Sequence, residues 1–75
     1  MRLKTVESSM IYAVGYDAKN HTLEVVFNSG GTYQYYDVPK STYKELMAAE
    51  SKGRYMRDCI IDVYDWAPIS RKRKS

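Results

Sequence analysis

The chain has 75 residues, one cysteine and a formal net charge of +3. A chain of this length forms one small domain, which buries only ~60% of the surface that its unfolded state exposes. It lacks a run of about 18 apolar residues, an apolar signal segment at its start and the cysteines for a disulfide framework, so we expect a cytoplasmic protein without a membrane span.

Two segments in the first half of the chain alternate apolar and polar residues, as strands do. They read "SMIYAVGYD" and "TLEVVFN". The polar stretch "DAKNH" between them suits a turn, which sets Tyr16 opposite Leu23 and Val14 opposite Val25. The shared apolar side of the two strands then holds Tyr12, Val14, Tyr16, Leu23, Val25 and Phe27.

A third strand, "TYQYYDV", follows a loop that contains two glycines. A loop centred on Gly30 sets Phe27 opposite Tyr33 and Val25 opposite Tyr35, so both tyrosines join the apolar side. Two interpretations of these rings stay open: they belong to the core, or they form a platform on which bases stack. The register favours the core and leaves Tyr36, on the other side, as the ring to expose.

The first helix follows Pro39, which lacks the N–H that a strand ladder needs and therefore ends the third strand. Thr42 and Glu45 have the spacing of a capping box, which predicts the helix start. An apolar stripe at helical spacing comes next: Tyr43, Leu46 and Met47.

The second helix is predicted to begin near Arg54. Gly53 interrupts the pattern just before it and suits the left-handed end of the first helix. Pro68 prevents the second helix from extending much beyond Trp66. The apolar positions at helical spacing are Tyr55, Met56, Cys59, Ile60 and Val63.

The predicted fold class is therefore α+β: a three-stranded antiparallel β-meander followed by two short α-helices that pack on one face, in two layers. The domain spans residues 1–70, and residues 71–75 form a basic tail that we expect to be disordered. The tail holds Arg71, Lys72, Arg73 and Lys74. Without the tail, residues 1–70 contain eight basic and nine acidic residues, so this part of the chain is not a basic domain.

The chain resembles the KTSC domain family from Val6 to Tyr64. The matching residues, which appear in the family's order and spacing, are Val6, Ser8, Ser9, Gly15, Tyr16, Asp17, Leu23, Val25, Phe27, Gly30, Tyr33, Tyr35, Val38, Pro39, Ala49, Ser51, Gly53, Tyr55 and Ile60. The resemblance implies a module that occurs at the C-terminus of some lysyl-tRNA synthetases and as small stand-alone proteins of bacteria and phages. It suggests RNA binding through the synthetase connection. We expect the motif residues Ser8, Ser9, Tyr33, Tyr35, Pro39, Ser51 and Gly53 to be structural.

The residues with reactive side chains form no recognisable catalytic or metal site. Ser8 and Ser9 lack the neighbouring base that a serine nucleophile needs. His21 and Cys59 together are too few for a zinc site. We therefore predict a non-enzymatic binding module without a cofactor.

Two functions remain open. The first is binding of RNA, either tRNA or single-stranded, at a basic corner between the helices, where Ser51 caps the second helix or helps to hold an anion. Its predicted contacts are Lys44, Lys52, Arg54, Arg57, Tyr36, Arg71, Lys72, Arg73 and Lys74. The alternative is a protein-interaction module that uses an edge strand or the region of Trp66.

Overall fold

The computed structural model describes residues 3–69, which form an antiparallel five-stranded sheet with the strands in sequence order. The α+β class is confirmed, but the predicted three-stranded meander is the centre of a larger sheet. The strands are β1 (Leu3–Thr5), β2 (Ile11–Asp17), β3 (Thr22–Phe27), β4 (Thr32–Tyr35) and β5 (Trp66–Pro68). The helices are α1 (Lys40–Ala48) and α2 (Lys52–Tyr55), and a π-helical turn (Met56–Ile60) continues α2.

The two added strands lie at the edges of the sheet, where β1 pairs with β2 and β5 pairs with β4. Each has three residues, too few to show a period of two in the sequence. Pro68 is compatible with β5 because an edge strand needs ladder hydrogen bonds on one side only. Trp66, Ala67 and Pro68 therefore form a strand, and the predicted helical path to Trp66 is wrong.

The hairpin of β2 and β3 has the predicted register, with Tyr16 opposite Leu23 and Val14 opposite Val25. Asp17 organises the turn through its carboxylate, which accepts hydrogen bonds from the backbone N–H of Lys19 at 3.0 Å and from Asn20 Nδ2 at 2.8 Å. Such local side-chain bonds favour a turn over a longer strand.

A β-bulge near the start of β2 changes which residues face the core. The register shifts between Ile11 and Ala13, so that Ile11 pairs with Phe27 and is fully buried. Tyr12 is 56% exposed, and its predicted place on the apolar side is wrong. One extra residue in a strand breaks the alternation of faces at that point, which a strict period of two does not anticipate.

The hairpin of β3 and β4 is offset by two residues from the prediction, with Val25 opposite Tyr33 and Leu23 opposite Tyr35. Its loop is tighter, because the Phe27 N–H donates to the Gly31 carbonyl at 2.8 Å and Gly30 adopts a φ of 109°. Since an even offset preserves the side of each residue, both tyrosines still face the helices.

The core lies between the sheet and the helices. Tyr35 belongs to it, with only 4% of its surface exposed, whereas Tyr33 is half-buried at the margin. The buried cluster consists of Ile11, Val14, Leu23, Val25, Tyr35, Val38, Leu46, Met56 and Ile60.

The helix α1 begins at Lys40 and has Pro39 as its N-cap, without a side-chain cap. The predicted capping box of Thr42 and Glu45 is wrong, because Thr42 lies inside the first turn and its hydroxyl contacts the Tyr64 hydroxyl at 3.2 Å. Pro39 has its φ fixed by its ring, and its carbonyl accepts the first hydrogen bond of the helix, from the Thr42 N–H at 3.0 Å.

The second helix starts at Lys52, and the Ser51 hydroxyl accepts a hydrogen bond from the Arg54 N–H at 3.4 Å. The helix then widens, and the Ile61 N–H donates to the Met56 carbonyl at 2.7 Å, five residues back. This wider turn and the extended backbone at Ile61 displace the predicted stripe. Cys59 and Val63 are consequently exposed instead of packed.

Among residues 3–69, no helix has both the length and the apolar character to cross a membrane.

Candidate functional site

A cleft of about 380 Å³ lies between the segment that precedes β2 and the start of α2. It brings together two motif segments that are far apart in the sequence. Its lining consists of Glu7, Ser8, Ser9, Met10, Glu50, Ser51, Lys52, Gly53, Arg54 and Arg57.

Ser8 fixes the sheet side of the cleft. Its hydroxyl oxygen accepts hydrogen bonds from the backbone N–H groups of Met10 and Ile11, both at 3.1 Å, and its carbonyl accepts one from Asn28 Nδ2 at 2.9 Å. Side-chain bonds of this kind hold a chain in a bend before it enters a strand. Ser9 is exposed and makes no hydrogen bond with the rest of residues 3–69, so its hydroxyl is available to a ligand.

Three basic side chains lie on the helix side of the cleft, and they differ in their partners. Lys52 Nζ donates to the Ala49 carbonyl at 3.1 Å. Arg54 Nε lies 3.9 Å from Asp58 Oδ2, in an exposed pair that contributes little to stability. The Arg57 side chain is exposed and has neither a hydrogen bond nor an ion pair within the described part of the chain. Arg57 is therefore the basic group most available for an anion.

Two carboxylates moderate the charge of the cleft, because Glu7 and Glu50 share its lining with the three basic residues. The cleft thus carries a small positive balance and offers serine hydroxyls beside it. This combination suits a single phosphate group better than a long run of phosphates.

The other predicted contacts with RNA lie elsewhere. Lys44 is exposed on α1 and does not line the cleft. Tyr36 donates to Gln34 Oε1 at 3.4 Å, on the sheet face opposite the helices. The four basic residues of the tail, Arg71 to Lys74, lie outside the described residues. The structure therefore brings together Lys52, Arg54 and Arg57 of the predicted set.

An aromatic groove of about 340 Å³ adjoins the cleft, and sequence reasoning missed it. Tyr33 lies at its centre, edge-on to Phe27 at 5.6 Å between ring centroids and to Trp66 at 5.3 Å. Trp66 is 49% exposed. The groove is lined by Met10, Phe27, Ser29, Tyr33, Tyr35, Ile61, Asp62 and Trp66. Without β5 in the prediction, nothing placed Trp66 beside Tyr33.

Pro39, a motif residue, and Gly31, which follows the motif glycine Gly30, support local parts of the fold. The carbonyl of Pro39 accepts the first hydrogen bond of α1, from the Thr42 N–H at 3.0 Å. Gly31 leaves room for the ring of Tyr33, because a Cβ at this position would lie 2.9 Å from Tyr33 Cε1. The conformation of the aromatic groove thus depends on the glycine loop.

Burial raises the pKa of three tyrosines: Tyr16 and Tyr35 of the sheet and Tyr55 of α2. It raises that of Tyr55, whose hydroxyl also donates to Glu45 Oε1 at 2.7 Å. It raises those of Tyr16 and Tyr35, with smaller contributions from the charge of Asp17 and from Tyr33 respectively. These phenols are neutral at physiological pH. Within residues 3–69, no three residues of the metal-binding types His, Cys, Asp and Glu are grouped to hold a metal ion.

The comparisons with known proteins agree on one family. The profile of the KTSC domain matches residues 7–64. A crystal structure of a KTSC domain protein from Yersinia pestis superposes with a TM-score of 0.90 and 38% identity, and the match covers 92% of this chain and 97% of that one.

Two kinds of relatives occur among the sequences that match. A protein of Tsukamurella paurometabola is 43% identical over 58 residues, which cover 77% of this chain and 87% of that protein. A lysine–tRNA ligase of Nostoc punctiforme is 34% identical over 64 residues, which cover 85% of this chain but only 11% of the ligase. The domain thus occurs both as nearly a whole protein and as a small part of a large one.

Proposed function

This chain belongs to the KTSC domain family, and we propose that it is a non-enzymatic module that binds RNA by its phosphates in the cleft between Ser8–Ser9 and α2. The observation that supports this most is the position of Arg57. Its guanidinium has no partner among the described residues and shares the cleft with Lys52 and Arg54. An arginine that is not committed to a carboxylate binds phosphate oxygens through two parallel N–H bonds.

The serine hydroxyls supply the second part of a phosphate site. The Ser9 hydroxyl is exposed on the opposite wall of the cleft. Hydroxyl groups, basic side chains and backbone N–H groups are the donors that proteins use for nucleic-acid phosphates. A phosphate in the cleft can therefore receive bonds from both walls.

The relatives support RNA as the source of that phosphate. The Nostoc relative is, by its name, a ligase that acts on a tRNA, and it includes a domain with 34% identity to this chain. A domain that is fused to such an enzyme is held close to the bound tRNA, so contact with that tRNA is the simplest role for the domain. We extend this role to the present chain.

Glu7 and Glu50 limit the strength of this binding. Two carboxylates in the lining repel phosphates, so few contacts form and the affinity is modest. The tail adds four positive charges that attract RNA without reading its sequence. We expect affinity to fall as salt rises, in proportion to the number of phosphates bound.

A charge reversal in the cleft tests this function. Labelled tRNA and a single-stranded RNA are titrated into the wild-type chain, Arg57→Glu and Lys19→Glu at two salt concentrations. Lys19 is the matched control because it is exposed in the turn between β2 and β3, at the far end of the hairpin from the cleft. We expect Arg57→Glu to weaken binding markedly and Lys19→Glu to weaken it only slightly. Equal effects of both reversals, or no binding at low salt, contradict the proposal.

The alternative, a protein-interaction module, is favoured by the half-exposed Trp66 on the edge strand β5. Aromatic side chains of this kind anchor protein interfaces, and unpaired strand edges accept a further strand. This function predicts a protein partner whose NMR footprint covers β5 while RNA leaves the spectrum unchanged.

A further inference from the structure

We propose that the aromatic groove holds an unpaired base of the RNA whose phosphate lies in the adjoining cleft. This inference rests on the proposed function and names the class of ligand: single-stranded RNA, recognised as a nucleotide with its base and phosphate in separate sites. It assigns a binding role to Trp66, Tyr33 and Phe27.

Met10 connects the two sites. Met10 is a lining residue of both the cleft and the aromatic groove, so the two sites meet at this residue. A nucleotide carries a base and a phosphate that are linked through one sugar. We expect a ligand with its phosphate in the cleft to extend its base past Met10 into the groove.

The groove offers rings that are both held in place and accessible. Tyr33 contacts Phe27 and Trp66 edge-on, with interplanar angles of 74° and 66°. The contact with Tyr33 restrains Trp66 while about half of the surface of Trp66 remains open. A restrained, open indole is a good stacking surface for a base, because little conformational freedom is lost on binding.

The charges of the two sites set the orientation of the nucleotide. Among residues 3–69, the lining of the groove contains one carboxylate, Asp62, and no basic side chain. A phosphate is repelled there and attracted by Lys52, Arg54 and Arg57 in the cleft. An apolar peptide complements the groove alone. A ligand that complements both the groove and the cleft must carry a ring and an anionic group.

The proposal selects single strands over duplexes. The bases of a duplex stack on one another and are not free to enter a groove, whereas those of a single strand are. Sequence preference is expected to be weak, since each base has a face that stacks.

The fluorescence of Trp66 provides a direct test, because it is the one tryptophan of the chain. A single-stranded oligocytidylate, an abasic ribose–phosphate oligomer of equal length and a blunt RNA duplex are titrated into the full chain. We expect the oligocytidylate to quench the emission. We expect the abasic oligomer and the duplex to leave it unchanged, whether or not they bind by anisotropy.

Substitution of the indole provides a second readout. Trp66→Leu should weaken binding of the oligocytidylate by about 5- to 150-fold, the range for loss of one base–aromatic stack. It should leave binding of the abasic oligomer unchanged. Trp66→Phe should retain part of the affinity. The matched control is Tyr12→Leu, which removes another exposed ring that lines neither the cleft nor the groove and should have no effect.

The outcomes separate this inference from the function on which it rests. If single-stranded RNA binds and depends on Arg57, but neither quenches Trp66 nor responds to Trp66→Leu, the base site is refuted and the phosphate cleft remains. If no RNA binds at low salt, both are refuted. Quenching by RNA in the wild-type chain needs no variant, so a folding defect of Trp66→Leu cannot obscure the result.

Discussion

Gly53 of α2 lies so close to Met10 that a Cβ at position 53 would be 3.1 Å from both Cβ and Sδ of Met10. The backbone at Gly53 does not have a positive φ, unlike that of Gly30. The glycine is therefore needed for the close approach of two segments, and not as the left-handed helix end that the sequence predicts. This contact joins the walls of the cleft.

Gly53→Ala should lower the free energy of unfolding by about 1 kcal/mol. Alanine favours a helix over glycine by about 1 kcal/mol, but an extra methyl group in a tight contact costs about 1 to 3 kcal/mol. The steric cost should exceed the gain in helix preference, because Met10 Cβ is fixed by its backbone and cannot move aside. Urea denaturation followed by circular dichroism measures the difference.

The control measures the effect of Gly53→Ala on stability in a chain that also carries Met10→Ala. This second substitution removes Sδ and leaves only the Cβ contact, so Gly53→Ala should cost less in this background than in the wild-type chain. An increase in stability on Gly53→Ala in the wild-type chain would show that the helix preference dominates and that the contact yields easily.

Ser8 and Ser9 are neighbours with the same side chain, and the structure gives them different roles. Ser8→Ala removes the acceptor of two backbone N–H groups, those of Met10 and Ile11, and should cost about 1 to 2 kcal/mol of stability. Ser9→Ala should leave stability unchanged, since the Ser9 hydroxyl has no partner among residues 3–69, but it should weaken RNA binding. Thermal denaturation and RNA titration of both variants test this. Equal destabilisation would contradict the assignment.

The fold should lose stability above pH 10 because of its tyrosines. Burial raises the pKa of Tyr16, Tyr35 and Tyr55 above that of the unfolded chain, which is near 10. A raised pKa in the folded state means that the stabilisation is complete below pH 10 and is lost as the pH rises further. The urea midpoint of the wild-type chain should therefore fall steeply on the alkaline side.

Tyr55→Phe should make this fall less steep, because it removes a phenol that cannot ionise without leaving its bond to Glu45. Tyr12→Phe is the matched control, since its ring is 56% exposed and its hydroxyl has no hydrogen bond within the described chain. An identical alkaline slope in Tyr55→Phe and the wild-type chain would show that Tyr55 does not contribute.

The sequence predicts the centre of the fold well because alternation and turn residues are local signals. The hairpin of β2 and β3 has its predicted register, and Tyr33 and Tyr35 face the helices. Errors occur where a backbone irregularity changes the period. The bulge after Ile11 exposes Tyr12, and the π-helical turn exposes Cys59.

The candidate site is predictable in its residues but not in its arrangement. Lys52, Arg54 and Arg57 are close in sequence and form a visible basic cluster. Their place in one cleft with Ser8 and Ser9 depends on how α2 packs on the segment that precedes β2, which no local pattern encodes. The aromatic groove depends on β5, a three-residue strand without a periodic signal, so Trp66 could not be placed beside Tyr33.

The basic tail and the cleft should contribute separately to RNA binding, and the dependence of affinity on salt distinguishes them. Replacement of Arg71, Lys72, Arg73 and Lys74 by glutamine in the full chain should lower affinity and reduce the slope of log K against log salt by about 0.7 for each lost phosphate contact. Residual binding should still respond to Arg57→Gln, because the described lining of the cleft supplies phosphate donors of its own. If the tail substitutions abolish binding at low salt, attraction by the tail accounts for the whole interaction, and the cleft is not a phosphate site. If Arg57→Gln instead reduces the slope in the same measure with and without the tail charges, the cleft binds its phosphate independently.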